Sequence, residues 1–150
     1  LSAVKPGEAD TIIIAGIGGE VISGIIKNCE WIKSTGITLI LQPTTSPEVL
    51  RKTLINSGFD IITETPLLEN GKIYSIMLAR FCGGVSPYQE HFYYIGKVPK
   101  TEHGIIYIKK QLKRISDYVN AYENIETKQK EYMLFKNIYL EIEKTLTEKP

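Results

Sequence analysis

Asp10-Thr11-Ile12-Ile13-Ile14-Ala15-Gly16-Ile17-Gly18-Gly19 is the stretch on which the reading of this chain turns. Ile12 to Ala15 is a continuous apolar run, and it stops at a glycine. Runs apolar on both faces suit a buried parallel strand. Glycine repeats at 16, 18 and 19, and a helical pattern follows from about Gly19 to Glu30, with Val21, Ile22, Ile25 and Ile26 on one side. A strand that feeds a helix through a glycine turn is the opening move of a β–α–β unit.

The next segments extend the unit. Ile37 to Leu41 is a second apolar run, halted by Gln42-Pro43. Pro47 to Asn56 reads as a helix, with Ser46 as its N-cap and Pro47 where a missing N–H costs nothing. Phe59 to Glu64 reads as a third strand, Asn70-Gly71 as a hairpin turn and Lys72 to Arg80 as a fourth strand. This order predicts half of a doubly wound α/β sheet whose last strand is antiparallel. Beyond it the grammar changes. Ile105, Ile108, Leu112, Ile115, Val119 and Tyr122 recur at alternating intervals of three and four. Ile125, Lys128, Tyr132, Phe135, Tyr139, Ile142 and Leu146 continue the register. Heptad spacing of this kind predicts two helices folded back near Glu123–Glu126 as an antiparallel coiled-coil hairpin. The expected division is residues 1–86, a partial doubly wound α/β domain, and residues 87–150, a helical coiled-coil domain.

With 150 residues, 43% of them hydrophobic and 23% charged, the chain has the composition of a soluble globular protein, which excludes a collagenous or disordered one. Cys29 and Cys82 are too few for a disulfide framework and too isolated for a zinc site, and no metal site is expected. No apolar run reaches the ~18 residues of a membrane span, so a cytoplasmic location and no membrane partner are expected. The net charge of +1 conceals a segregation. Lys97, Lys100, Lys109, Lys110, Lys113 and Arg114 stand within eighteen residues against Glu102 alone, and the last four fall on one helical face. Tyr88, Phe92, Tyr93, Tyr94 and Tyr107 interleave with them. Positive charge with aromatics suits a phosphate backbone and stacked bases. The same pattern also fits a solvated helix face whose aromatics pack on the sheet.

Ala15, Gly16, Ile17, Gly18 and Gly19 sit where open α/β sheets bind ligands, outside the carboxyl ends of the strands. Bare backbone at a helix start can receive an anion, or the glycines can simply make a tight turn. A dinucleotide fingerprint fails, because Val21 stands where the third glycine belongs and Gln42-Pro43 where an acidic residue is needed. No Gly-Lys-Ser/Thr of a P-loop follows. Gln42 can bond a base or ribose, or cap the strand that Pro43 ends. No Asp, Cys or Ser constellation surrounds His91 and His103, and Cys29 and Cys82 lack the electropositive setting of a reactive thiol.

The glycine loop, Leu39-Ile40-Leu41-Gln42-Pro43 and Gly71-Lys72-Ile73-Tyr74, in that order and followed by a helical hairpin, resemble the TrmK-like bacterial tRNA (adenine-N1)-methyltransferases that act at tRNA position 22. The resemblance covers about residues 4–80, and residues 87–147 as architecture. It implies a Rossmann-like methyltransferase fold, S-adenosylmethionine as methyl donor, tRNA as partner and a C-terminal coiled-coil domain that helps to hold it. It implies that Ala15 to Gly19 lie beside donor and target base, that Gln42-Pro43 end the fifth strand, and that Lys72 to Arg80 form the seventh, inserted antiparallel between the fifth and sixth. Ile17 replaces the family's usual Met and Thr44 its common Asn. The family's donor-binding loop, with its Asp-x-Gly-Ser-Asp-His-like run, has no counterpart, and the chain opens at Leu1 ahead of the fourth strand. The expectation is therefore a C-terminal portion, with catalytic residues upstream and no activity alone. Adenine N1 carries a free lone pair, so its methylation requires no general base. The alternatives are a non-catalytic RNA-binding or assembly module built on the basic hairpin and, more remotely, a nucleotide-binding half-domain. Thr11 to Ala15 is expected to be a bare sheet edge, and self-association through it or the hairpin is expected.

Overall fold

The computed structural model describes residues 3–34 and 36–148; Leu1, Ser2, Thr35, Lys149 and Pro150 lie outside the described residues. Four strands form one sheet in the order β1 (Thr11–Ile17), β2 (Thr38–Pro43), β4 (Lys72–Phe81), β3 (Phe59–Glu69). β1 and β2 are parallel, and β4 runs antiparallel to both of its neighbours, as the resemblance implied. Asn70 and Gly71, at φ 48° and 72°, supply the two left-handed residues of the β3–β4 turn.

Helix α1 (Gly19–Lys27) and α2 (Pro47–Asn56) pack together over the sheet. Ile22, Ile26, Leu50 and Leu54 meet Leu39, Leu41, Phe59, Ile61, Met77 and Ala79 in one buried cluster. The short α3 (Glu90–Ile95), which apolar spacing does not reveal, continues this layer. Ser46 precedes α2 as expected but does not cap it. Its backbone is left-handed (φ 49°), and its hydroxyl donates to Glu20 Oε1 at 3.4 Å.

The expectation of a strand buried on both faces fails for β1. Ile12 is 6% exposed and the next residue, Ile13, 68%. β1 is an edge strand paired on one side only, and helices cover just one of its faces. β3 carries a further irregularity. Its pairing with β4 skips Ile62, between Ile61 and Thr63. One extra residue reverses the face of everything after it. Phe59 and Ile61 point inward before the bulge, and Glu64 points inward after it.

α4 (Glu102–Tyr122) and α5 (Gln129–Thr147) run antiparallel. Lys100, just before α4, donates to the Glu148 carbonyl at 2.8 Å, and Tyr118 near the far end of α4 stacks on Phe135. Thr101 caps α4 by accepting the Gly104 N–H at 3.2 Å. Ile108, Ile115, Ile138 and Ile142 form the buried seam. A uniform heptad stripe is not what is buried. Ile105 is 36% exposed, while Tyr107 and Gln111 are buried in its stead. The reason is that α4 packs against β3 and β4 as well as α5, which turns its buried stripe toward the sheet. Among the described residues no helix is long and apolar enough to cross a membrane.

Candidate functional site

The glycine loop is shaped by its backbone. Pairing between β1 and β2 breaks at Gly16, a bulge residue with φ 79°. The N–H it withdraws from the ladder donates to Gln42 Oε1 at 2.9 Å. Gln42 therefore ties two strand ends together, a role that isolated sequence reading leaves between capping and base contact. Ile17 and Gly19 complete the tie: Thr44 N–H donates to the Ile17 carbonyl at 2.9 Å, and Gly19 N–H to the Thr45 carbonyl at 2.8 Å. Ala15 and Gly16 are exposed, Ile17 and Gly18 half-buried, Gly19 and Pro43 buried. All seven residues converge on one edge of the sheet.

The glycines differ in what they permit. A side-chain carbon on Gly16 would meet open space, whereas one on Gly19 would strike the Ser46 carbonyl and come within 2.9 Å of the Thr45 oxygen. Gly19→Ala is accordingly expected to destabilise the fold by about 1–3 kcal/mol, the usual cost of overpacking. A thermal melt checks it, and an unchanged midpoint would remove the loop-to-loop contact from this account.

Beside this loop lies a cleft of about 480 Å³. Its walls are the 43–48 segment, the first residues of β4 and one face of α4. Lys110, Lys113 and Arg114 project into it, with Tyr74, Tyr107, Gln111, Tyr118, Glu48 and Asp117. Arg114 Nη2 pairs with Glu48 Oε1 at 2.8 Å, and its guanidinium lies 5.5 Å from the Tyr94 ring centre. Burial and the Glu48 charge push the Tyr94 hydroxyl up to about 12. Lys110 Nζ donates to the Ile73 carbonyl at 3.1 Å and sits 5.9 Å from the centre of the Tyr74 ring. Burial, Arg114 and Lys72 together lower its pKa.

The six basic residues do not form one surface. Lys97 pairs with Asp60 at 3.0 Å; burial opposes its charge, but the Asp60 carboxylate prevails and raises its pKa. Lys100 is held at the open end of the hairpin by the Glu148 carbonyl. Lys109 and Lys113 are exposed. Only Lys110, Lys113 and Arg114 of the six reach the cleft. His91 and His103 lie on α3 and α4, Cys29 is buried, and Cys82 is exposed at the end of β4.

Beneath the cleft is a buried ionic network that sequence reading did not find. Arg51 and Glu64 have no exposed side-chain surface; Arg51 Nη2 lies 2.7 Å and Nε 3.0 Å from the Glu64 carboxylate. Arg51 also donates to the Tyr93 and Tyr94 carbonyls and to the Tyr107 hydroxyl at 2.8–2.9 Å. Glu64 accepts from Ser75 Oγ at 2.6 Å and from the Lys97 N–H at 2.9 Å. Burial alone would lower the Arg51 pKa, but Glu64 and Tyr107 outweigh it and raise it. The Tyr107 pKa rises mainly through burial. The available sequence signal was a charge at position 51 inside the apolar stripe Leu50–Leu54–Ile55.

Comparison with known proteins gives this geometry a relationship. The methyltransferase domain family matches residues 1–77. The tRNA (adenine(22)-N(1))-methyltransferase of Bacillus subtilis is 29% identical over 129 residues, which are 83% of this chain and 54% of that protein. This chain thus spans about half the length of the curated relative. The crystal structure of the B. subtilis M1A22 tRNA methyltransferase TrmK superposes with a TM-score of 0.81 at 22% identity, over 97% of this chain and 66% of that one. Streptococcus pneumoniae Sp1610, solved in complex with S-adenosyl-L-methionine, gives 0.70 at 24% identity, over 97% and 64%. With its Rossmann-like sheet, similar to that of these relatives, the chain belongs to the methyltransferase domain family.

Proposed function

We propose that this chain is the portion of a tRNA adenine-N1 methyltransferase that presents the target base and grips the RNA. One observation carries the reading: the loop tied by Gly16 and Gln42 opens on the same sheet edge as the cleft into which Lys110, Lys113 and Arg114 project. In this reading residues 1–86 are the catalytic-domain part and residues 87–150 the helical RNA-holding part. Lys97, Lys100 and Lys109 belong to the outer RNA surface.

S-adenosylmethionine, when bound, supplies an electrophilic methyl carbon. Gly16, with open space where a side chain would be, lets a ligand approach the backbone of the loop closely. Among the described residues no further strand pairs with the outer edge of β1, so these residues fit the donor only in part. Turnover by this chain alone is not expected. The adenine N1 lone pair forms the new bond, and no proton has to leave that nitrogen. The task left to Ala15–Gly19, Gln42 and Pro43 is therefore positioning, which can contribute as much as a catalytic group. The free edge of β1 and the hairpin are the two surfaces we assign to self-association.

Loss of the gene is expected to abolish N1-methyladenosine at one tRNA position, read as the disappearance of a reverse-transcription stop. A persisting stop overturns the methyltransferase reading. The purified chain is expected to bind tRNA with an affinity that falls steeply with salt, and Lys109→Ala with Lys113→Ala to lower the log–log salt slope by about two, roughly one per cation. Salt-dependent tRNA binding with the stop unchanged in the deletion strain would favour the alternative, a non-catalytic RNA-binding module.

A further inference from the structure

The cleft between α4 and the 43–48 segment contains more unsatisfied chemistry than packing explains. Gln111 is 3% exposed, lines the cleft and leaves its Oε1 without a hydrogen-bond partner among the described residues. Arg114 and Glu48 pair through one contact, and each keeps a further buried atom, Nε and Oε2, unpartnered. A buried acceptor without a donor costs stability, so a leucine at 111 would serve packing better. The cleft also has an excess of positive charge: three cations face Glu48 and Asp117, and Glu48 is already engaged by Arg114. Burial and, after it, the charges of Arg114 and Lys72 disfavour the Lys110 ammonium, so an anion beside it would be welcome. Its volume lies within the roughly 300–1,000 Å³ typical of small-ligand sites.

Those features select a ligand class. A phosphate alone would satisfy Lys110 and Lys113 but leave the Gln111 amide and the half-buried ring of Tyr74 unused, Tyr118 being already stacked on Phe135. An apolar ligand would strand the cations. A nucleotide uses all of them: phosphate on lysine, a base against tyrosine, and a base edge on a carboxamide. A carboxamide, with one donor and one acceptor side by side, matches a base edge such as adenine N6 and N7.

We infer that this cleft is a nucleotide site that takes one adenine nucleotide of an RNA strand, its phosphate at Lys110 and Lys113 and its base edge at Gln111. The source of the nucleotide rests on the RNA reading above; the site itself does not.

Adenosine 5′-monophosphate is the probe, titrated against the full chain with amide chemical shifts as readout. Shifts are expected at Ile73, Tyr74 and Gln111, with ribose 5-phosphate, which lacks the base, binding about tenfold more weakly. Gln111→Leu is expected to weaken AMP binding about tenfold while its melting midpoint holds or rises, an opposition that a structural role for Gln111 would not produce. Lys110→Met should weaken AMP by a similar factor, and Lys130→Ala, on α5 away from the cleft, should leave it unchanged. Equal affinity for AMP and ribose 5-phosphate, or AMP binding insensitive to Gln111→Leu, overturns the nucleotide assignment even if the chain binds tRNA. Competition separates the sources. Displacement of AMP by tRNA supports an RNA strand, and AMP that tRNA cannot displace overturns the strand assignment and leaves a free-nucleotide site.

Discussion

Arg51→Met is expected to destabilise the protein by about 3–5 kcal/mol, the loss seen when one partner of a buried ion pair is removed. For a chain of this size that lowers the melting midpoint by roughly 6–20 °C. The cause is what the substitution leaves behind. Glu64 would remain inside with its carboxylate facing only Ser75 Oγ and the Lys97 N–H, and the carbonyls of Tyr93 and Tyr94 would lose the Nη1 donor they share. The pair itself need not be worth that much, because desolvating two charges offsets most of their attraction. Arg51→Met combined with Glu64→Leu is therefore expected to recover part of the loss, with the single and double variants failing to add. Denaturant melts of the three variants measure this. An Arg51→Met protein within about 1 kcal/mol of the parent would refute it.

The second large effect is expected at Gly96, where α3 ends. Its backbone sits at φ 64° and ψ −155°, a region essentially confined to glycine and costing other residues about 1–3 kcal/mol. A side-chain carbon there would also drive into Glu64 Oε1 and Arg51 Nε. Neither can retreat, since both are held by several bonds in a buried site. Gly96→Ala should therefore cost as much as losing Arg51. Gly71→Ala provides the comparison: its φ is 72°, yet nothing lies within 4 Å of the added carbon. It should cost only the conformational strain, about 1–2 kcal/mol. If the two alanine variants melt together, the crowding around Gly96 has been misjudged.

Much of the sheet was legible because its signals are local. Pro47 and the Ser57-Gly58 pair bound α2, and Asn70-Gly71 set the β3–β4 turn; both are decided within a few residues. The place of β4 between β2 and β3 is a different matter. Nothing in the spacing of residues 72–80 demands it, and it came from the resemblance. The bulge at Ile62 was invisible for a physical reason. Strict alternation from Phe59 sends Thr63 inward and Glu64 outward, and nothing in the sequence announces the extra residue that reverses them. With Glu64 unplaced, Arg51 had no visible partner. The cationic cluster shows the same limit. Spacing put Lys109, Lys110, Lys113 and Arg114 on one face, yet only the last three line the cleft, and Asp60, Glu48 and the Ile73 carbonyl, which decide what the cations of this segment do, arrive from other elements.

The Arg51 guanidinium has one further consequence. It leaves α2 and touches β3, the end of α3 and α4, and reaches β4 through Glu64 and Ser75. The helical hairpin cannot peel from the sheet while leaving that charge solvated by its partners. Two hydrophobic clusters that would otherwise melt in sequence are thus made to share one fate. Heating should produce a single calorimetric peak, and the amides around Tyr107 should exchange as slowly as those at the centre of β4.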